Sequence, residues 1–217
     1  MIKACIQLKG GHKSFGETPV LRGVDFDLNP GERISICGQS GAGKSTLLRV
    51  LAGLDPLDQG ELQIWGKPAN QIPAWERAIQ FVFQDLGLWP SRTVFQHLSD
   101  VLQNQGFSRK QSKQMALDSL ERLSLSDLSS KKPHQISGGE ARRVAFSRAL
   151  IQKPKILLLD EPFASLDADA KALSQTWLAE LVRQSEAAVA LVTHDESETQ
   201  TLGGKVFHLQ NGVLHSA

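Results

Sequence analysis

The stretch Gly38-Gln39-Ser40-Gly41-Ala42-Gly43-Lys44-Ser45-Thr46 limits what this chain can become more than any other part of it. It fits the spacing G-x-x-x-x-G-K-S/T in full, and its flanks suit it. Arg33 to Cys37 reads as a strand running into the glycines. Behind them Leu47, Val50, Leu51 and Leu54 recur at i, i+3, i+4 and i+7, so a helix follows. Such a turn lets backbone N–H groups converge on phosphate oxygens, while the helix N-terminus adds partial positive charge. Lys44 is thereby placed to reach β- and γ-phosphates, the Ser45 hydroxyl to ligate Mg²⁺, and Thr46 to add an α-phosphate contact. The fold expected around it is α/β, a P-loop core with a parallel-centred sheet.

A phosphate-binding loop specifies a ligand class and leaves the reaction open. Ile156-Leu157-Leu158-Leu159-Asp160-Glu161 supplies the second half of a site. An apolar strand ending in a carboxylate delivers Asp160 to the carboxyl edge of the sheet, where open α/β sheets bind ligands, and Asp160 can hold a Mg²⁺ shell there. Glu161, one residue on, is placed to polarise an attacking water as general base. The runs Ile156 to Leu159 and Ala187 to Val192 suit central parallel strands covered on both faces, with a helix from about Asp167 to Gln184 between them. Ile79 to Phe83 reads as another short strand. From there to Ile136 the pattern turns helical, with stripes Val94/Leu98/Val101/Leu102 and Ala116/Leu120/Leu123 and a capping box at Ser108 and Gln111. Before the loop, Ile2/Ala4/Ile6/Leu8 and Val24/Phe26/Leu28 alternate as strands do. The expected organisation is one domain over residues 1–217, with an N-terminal antiparallel β-subdomain and a helical subdomain inserted near residues 86–150.

Ile136-Ser137-Gly138-Gly139-Glu140, followed by Ala141 to Leu150, narrows the class. Locally it is a capping box opening a helix, and its N–H groups with the Ser137 hydroxyl make a second phosphate site. No phosphate loop lies near it in sequence, so it must serve a phosphate held by another chain. The stretch closely resembles the signature motif of ABC ATPases, and the resemblance extends over nearly the whole chain with the remaining motifs in family order. It implies that Ser137, Gly138, Gly139 and Glu140 cover the γ-phosphate of ATP bound to an opposing protomer. Phe15, in Lys13-Ser14-Phe15-Gly16, matches the aromatic that stacks on adenine, and Gln84 the Q-loop glutamine that senses Mg²⁺ and the attacking water. Asp167, in Ser165-Leu166-Asp167, matches the loop that communicates across the dimer, and His194 the switch histidine at the γ-phosphate. Ile136 and Glu140 stand where the family usually has Leu and Gln. The second puts a carboxylate near nucleotide in a closed dimer, offset in part by Mg²⁺, Lys44, Arg142 and Arg143.

The function so implied is the ATP-hydrolysing subunit of an ABC membrane transporter, with ATP and Mg²⁺ as its cofactors. It would work as a homodimer or paired cassette beside separate transmembrane permease subunits and, indirectly, a substrate-binding protein. Leu86, Leu88 and Trp89 either form an apolar landing patch for the permease or pack inside the helical subdomain. With 24 Lys+Arg against 23 Asp+Glu and no long run of like charges, nucleic acid is not an expected partner. The longest wholly apolar stretch, Ala187 to Val192, falls far short of the roughly 18–20 residues of a membrane span. Met1 to Gly10 lacks the apolar core of a signal peptide, so the expected place is the cytoplasm, peripheral on the inner face of the cell membrane. Cys5 and Cys37 form no C-x-x-C pair and read as buried core thiols. A stand-alone cassette ending in the hairpin signal Asn211-Gly212 resembles bacterial importer subunits. A P-loop phosphotransferase would explain the loop and leave Ser137-Gly138-Gly139 and His194 without a role, and a soluble ABC ATPase generally has two fused cassettes or long coiled-coil insertions.

Overall fold

The computed structural model describes residues 4–217; Ile2, the first of the alternating apolar positions, lies outside them. The chain begins with β1 (Ile6–Phe15), β2 (Thr18–Leu28), β3 (Arg33–Cys37), α1 (Lys44–Ala52), β4 (Gln59–Ile64), β5 (Lys67–Pro68) and β6 (Ile79–Val82). Three helices follow, α2 (Val94–Asn104), α3 (Arg109–Arg122) and α4 (Gly138–Leu150). The rest is β7 (Ile156–Asp160), α5 (Ala168–Gln184), β8 (Ala188–Thr193), α6 (Thr199–Leu202), β9 (Lys205–Gln210) and β10 (Val213–Ser216). One sheet is antiparallel, in the order β2-β1-β4-β5. The other, β10-β9-β3-β8-β7-β6, is parallel from β9 to β6 with β10 antiparallel at its edge. The α/β architecture with an N-terminal antiparallel sheet is the one expected.

Strand periodicity decides what covers each face of the parallel sheet. Ile156, Leu158, Ala188, Ala190 and Val192 pack with α1 and the antiparallel sheet, whereas Leu157, Leu159, Val189 and Leu191 pack with residues of α4 and α5. Each fully buried Val, Leu or Ile contributes roughly 1.5–3 kcal/mol, so these uninterrupted apolar strands anchor everything that follows them in the chain. The hairpin signal is realised too: Asn211 (φ 50°) and Gly212 (φ 79°) turn β9 into β10.

Two expectations change at the ends of elements. Leu54 fits the helical spacing but lies past α1 and is 37% exposed. The helix stops at Ala52 because Gly53 is left-handed (φ 81°), its N–H donating to Val50 O (3.1 Å) and that of Leu54 to Arg49 O (2.9 Å). Only glycine fits there, since a Cβ would lie 2.3 Å from Arg77 Nε. The Arg77 guanidinium donates to the Val50 and Leu51 carbonyls (2.9 Å each) and to Ile72 O (2.8 Å), closing off the helix end. The apolar residues of the loop after β6 also divide. Leu86 is buried and Leu88 packs on a third core formed by Val94, Leu98, Ala116, Leu120, Leu125 and Val144, which leaves Trp89, 42% exposed, as the surface residue of the three.

Candidate active site

Sheet register assembles the site at one edge. Adjacent strands β3, β8, β7 and β6 pair Cys37 with Thr193, Val192 with Asp160, and Leu159 with Val82. The residues that follow those ends, Gly38, His194, Glu161 and Gln84, therefore leave the sheet side by side at its carboxyl edge, as parallel pairing requires.

The loop from Gly38 to Gly43 runs into α1 without a side-chain cap. By contrast α2, α3, α4 and α5 are capped by Thr93, Ser108, Ser137 and Asp167. In α1 the first internal acceptor, Gly43 O, is taken by Leu47 N–H (2.9 Å), and no acidic residue stands in the first turn. The N–H donors of Lys44, Ser45 and Thr46 thus have no side-chain acceptor from the chain and suit an anion. Gly43 (φ 100°) lets the loop lie against β2: a Cβ there would be 2.9 Å from Val20 Cγ1. Lys44 is 4% exposed, with Nζ donating to the Gly38 and Gln39 carbonyls (2.9 and 3.0 Å) and standing 3.6 Å from Glu161 Oε1. Its ammonium is folded over the loop, where phosphate oxygens can replace the two carbonyls.

Ser45 Oγ donates to Asp160 Oδ1 (2.7 Å). Burial pushes the Asp160 carboxyl up, against the Ser45 bond that stabilises its ionised form, and the neighbouring Glu161 charge pushes it further up. A hydroxyl and a buried carboxylate in contact are hard oxygen donors that fit Mg²⁺. Among the described residues no three His, Cys, Asp or Glu side chains cluster as a metal site. Glu161 follows Asp160 with φ 41°, a left-handed conformation that costs a non-glycine residue roughly 1–3 kcal/mol. Its N–H donates to Val192 O (3.1 Å), and Oε2 contacts His194 Nδ1 (3.0 Å). Lys44, Ser45, Asp160, Glu161 and His194 are thus linked by direct contacts.

The other expected residues make no hydrogen bond to this group. Gln84 is exposed just past β6. Phe15 ends β1 at 52% exposure with the Lys13 ammonium 5.3 Å from its ring centre, so it is no core residue. Ser137 caps α4: its N–H and hydroxyl donate to Glu140 Oε2 (2.7 and 2.9 Å), and Glu140 N–H donates back to Ser137 Oγ (3.3 Å). Gly138 and Gly139 form the first turn of α4. Asp167 caps α5 by accepting Ala170 N–H (2.9 Å). Arg142, expected to offset the Glu140 charge, spends its donors on backbone carbonyls, those of Pro162 (2.7 Å), Ala164 and, more weakly, Gly138 at the start of α4 (3.4 Å). It pins the segment after Glu161, a role with no sequence signal because its acceptors there are distant backbone carbonyls. Lys171 and Glu198, which brace the turn around His194, were equally silent.

The family model for the ABC transporter matches residues 21–164. The spermidine/putrescine import ATP-binding protein PotA of Photobacterium profundum is 38% identical over 212 residues, 98% of this chain and 57% of that protein. The sn-glycerol-3-phosphate import ATP-binding protein UgpC 1 of Rhizobium johnstonii is 38% identical over 96% of this chain and 57% of its own length. The chain therefore spans a little over half the length of these curated relatives. Among solved structures, the dimeric post-hydrolysis state of the ATP-binding cassette MJ0796 bound to ADP and Pi superposes with a TM-score of 0.84 at 30% identity, covering 97% of this chain and 98% of that one.

Proposed function

The chain belongs to the ABC transporter family, and from that premise we propose that it binds and hydrolyses ATP to power a membrane transporter as one of a closing pair of cassettes. The observation that carries this reading is the uncapped N-terminus of α1 beside a buried lysine and a hydroxyl–carboxylate pair. Every other helix longer than eight residues among the described residues spends a side chain on that end.

ATP would lie with its adenine on Phe15 and its phosphates over Gly38 to Thr46. Lys44 would exchange the Gly38 and Gln39 carbonyls for β- and γ-phosphate oxygens. Mg²⁺ held by Ser45 and Asp160, with Gln84 beside them, would supply charge neutralisation at the phosphates. Glu161 would accept the proton of the attacking water. His194 would hold that carboxylate through Nδ1 and present its other ring nitrogen to the γ-phosphate side. Ser137, Gly138, Gly139 and Asp167 of a second copy would complete the site and exclude water, and hydrolysis would reopen it.

No helix among the described residues is long and apolar enough to cross a membrane. Passage through the bilayer would then fall to separate permease subunits, with this chain peripheral on the inner face and a substrate-binding protein further out. Trp89 and the loop around it are the proposed landing point, and α2–α4 the subdomain of residues 86–150 that moves with it. The names of the polyamine and glycerol-3-phosphate relatives support import as the direction. Phosphate release from ATP by the purified chain with Mg²⁺ tests the reading. Lys44→Ala should weaken ATP binding about 100-fold, because it removes the charge aimed at the β/γ-phosphates. Near-normal hydrolysis by that variant overturns the assignment, and a phosphorylated product other than free phosphate points to a kinase.

A further inference from the structure

Behind His194 stands a group of side chains that the nucleotide chemistry does not use. Lys171, in the first turn of α5, sends its ammonium to the carboxylate of Asp195 and to Glu198 Oε1 (2.6 Å). Glu198 is 3% exposed, and its other oxygen accepts the Thr193 hydroxyl (2.5 Å). Thr193 Oγ1 accepts the Asp195 N–H (3.0 Å), while Asp195 Oδ1 accepts the N–H and the hydroxyl of Ser197 (2.9 and 2.6 Å). The residues immediately before and after His194 therefore belong to one frame, whose cation is Lys171. No hydrogen bond or ion pair joins the His194 ring to it. Its ring meets Glu161 and is otherwise half exposed.

The frame leads back to the start of α5. Lys171 N–H donates to the carbonyl of Asp167 (2.9 Å), the residue that caps the helix. The Lys171 bond is the main reason that Asp195 is held at about pKa 2, so the pair is charged at neutral pH. Two carboxylates, one of them buried, cannot separate from their cation cheaply, so they follow Lys171 when the helix moves.

We propose that Lys171 is a positioning residue that ties the first turn of α5 to His194, so that contact of a second copy of the chain with Asp167 is transmitted to His194 and through it to Glu161. The inference rests on the ATPase reading given above. The distinction from a packing role is kinetic: positioning affects turnover, whereas most of the nucleotide's proposed contacts, on Phe15 and Gly38 to Thr46, have no hydrogen bond or ion pair to Lys171.

The experiment measures kcat, KM and the dissociation constant of a fluorescent ATP analogue for the full chain and three variants. Lys171→Met should lower kcat about 10- to 100-fold with the dissociation constant within about two-fold of the unmodified chain, and Lys171→Arg should restore most of the loss. Because Lys171→Met leaves Glu198 buried without a cation, Lys171→Met/Glu198→Gln removes both charges. It should fold normally, yet keep the low kcat. Unmodified turnover in the double variant, or affinity falling in step with kcat in a folded one, overturns the inference. Absence of hydrolysis by the unmodified chain instead overturns the ATPase reading, and the inference with it.

Discussion

At the scale of single residues, Glu140, standing where the resemblance expects glutamine, is the charge that would matter to a closed pair. The Ser137 N–H, then the Ser137 hydroxyl, hold its carboxyl below the usual range, so a full negative charge sits on the N-terminus of α4. That end is where a partner's γ-phosphate would dock; Arg142 spends its donors on the Pro162, Ala164 and Gly138 carbonyls, and Arg143 is the cation that lowers the Glu140 carboxyl. Unit charges at about 8 Å with an effective dielectric of about 20 repel by roughly 2 kcal/mol, and Arg143 and Mg²⁺ would cancel part of that. Glu140→Gln should therefore tighten ATP-driven dimerisation by about ten-fold, since its amide oxygen can still cap the helix. Analytical ultracentrifugation in a Glu161→Gln background reads this directly. An unchanged or weaker dimer would mean that the carboxylate serves only as a cap.

At the scale of elements, α1 is held differently at its two ends. Its N-terminus is left open, while its C-terminus is closed by Gly53 and by the Arg77 guanidinium on the Val50 and Leu51 carbonyls. Burial pushes the Arg77 pKa down, but three backbone carbonyls keep the cation in place. Arg77→Met keeps most of the packing and removes the guanidinium from the Leu51 and Ile72 carbonyls, Val50 O keeping the Gly53 N–H, which should cost about 2–4 kcal/mol and lower Tm by roughly 5–15 °C. A thermal melt within a degree or so of the unmodified chain would show that water takes over these carbonyls.

At the scale of the whole molecule, the site is complete on one side only. Lys44, Ser45, Asp160, Glu161 and His194 converge within a single chain, whereas no hydrogen bond joins Ser137, Gly138, Gly139 or Asp167 to them among the described residues. A second copy would bring its α4 and α5 caps to the open face. Glu161→Gln should keep ATP binding, lose turnover by about a thousand-fold and accumulate as an ATP-bound dimer. Size-exclusion chromatography with and without ATP measures the shift. A variant that stays monomeric while hydrolysing ATP normally contradicts the paired-cassette reading.

Much of this was legible in the residues because it depends on local rules. The loop from Gly38 to Thr46, the strand that ends at Asp160, the capping boxes at Ser108 and Ser137 and the turn at Asn211-Gly212 each follow from spacing and backbone preference over a few positions. The continuous apolar runs of β7 and β8 likewise pointed to central strands covered on both faces, as they are. What the tertiary structure alone decided are contacts between residues far apart in the chain. These include the left-handed Glu161 held by Val192, the hold of Arg142 on the Pro162 carbonyl, the Arg77 cap on α1, and the split that buries Leu86 and Leu88 and exposes Trp89. Periodicity tells which side of an element is apolar, but the partner that a long cation or a buried carboxylate finds depends on which backbone the fold brings within reach.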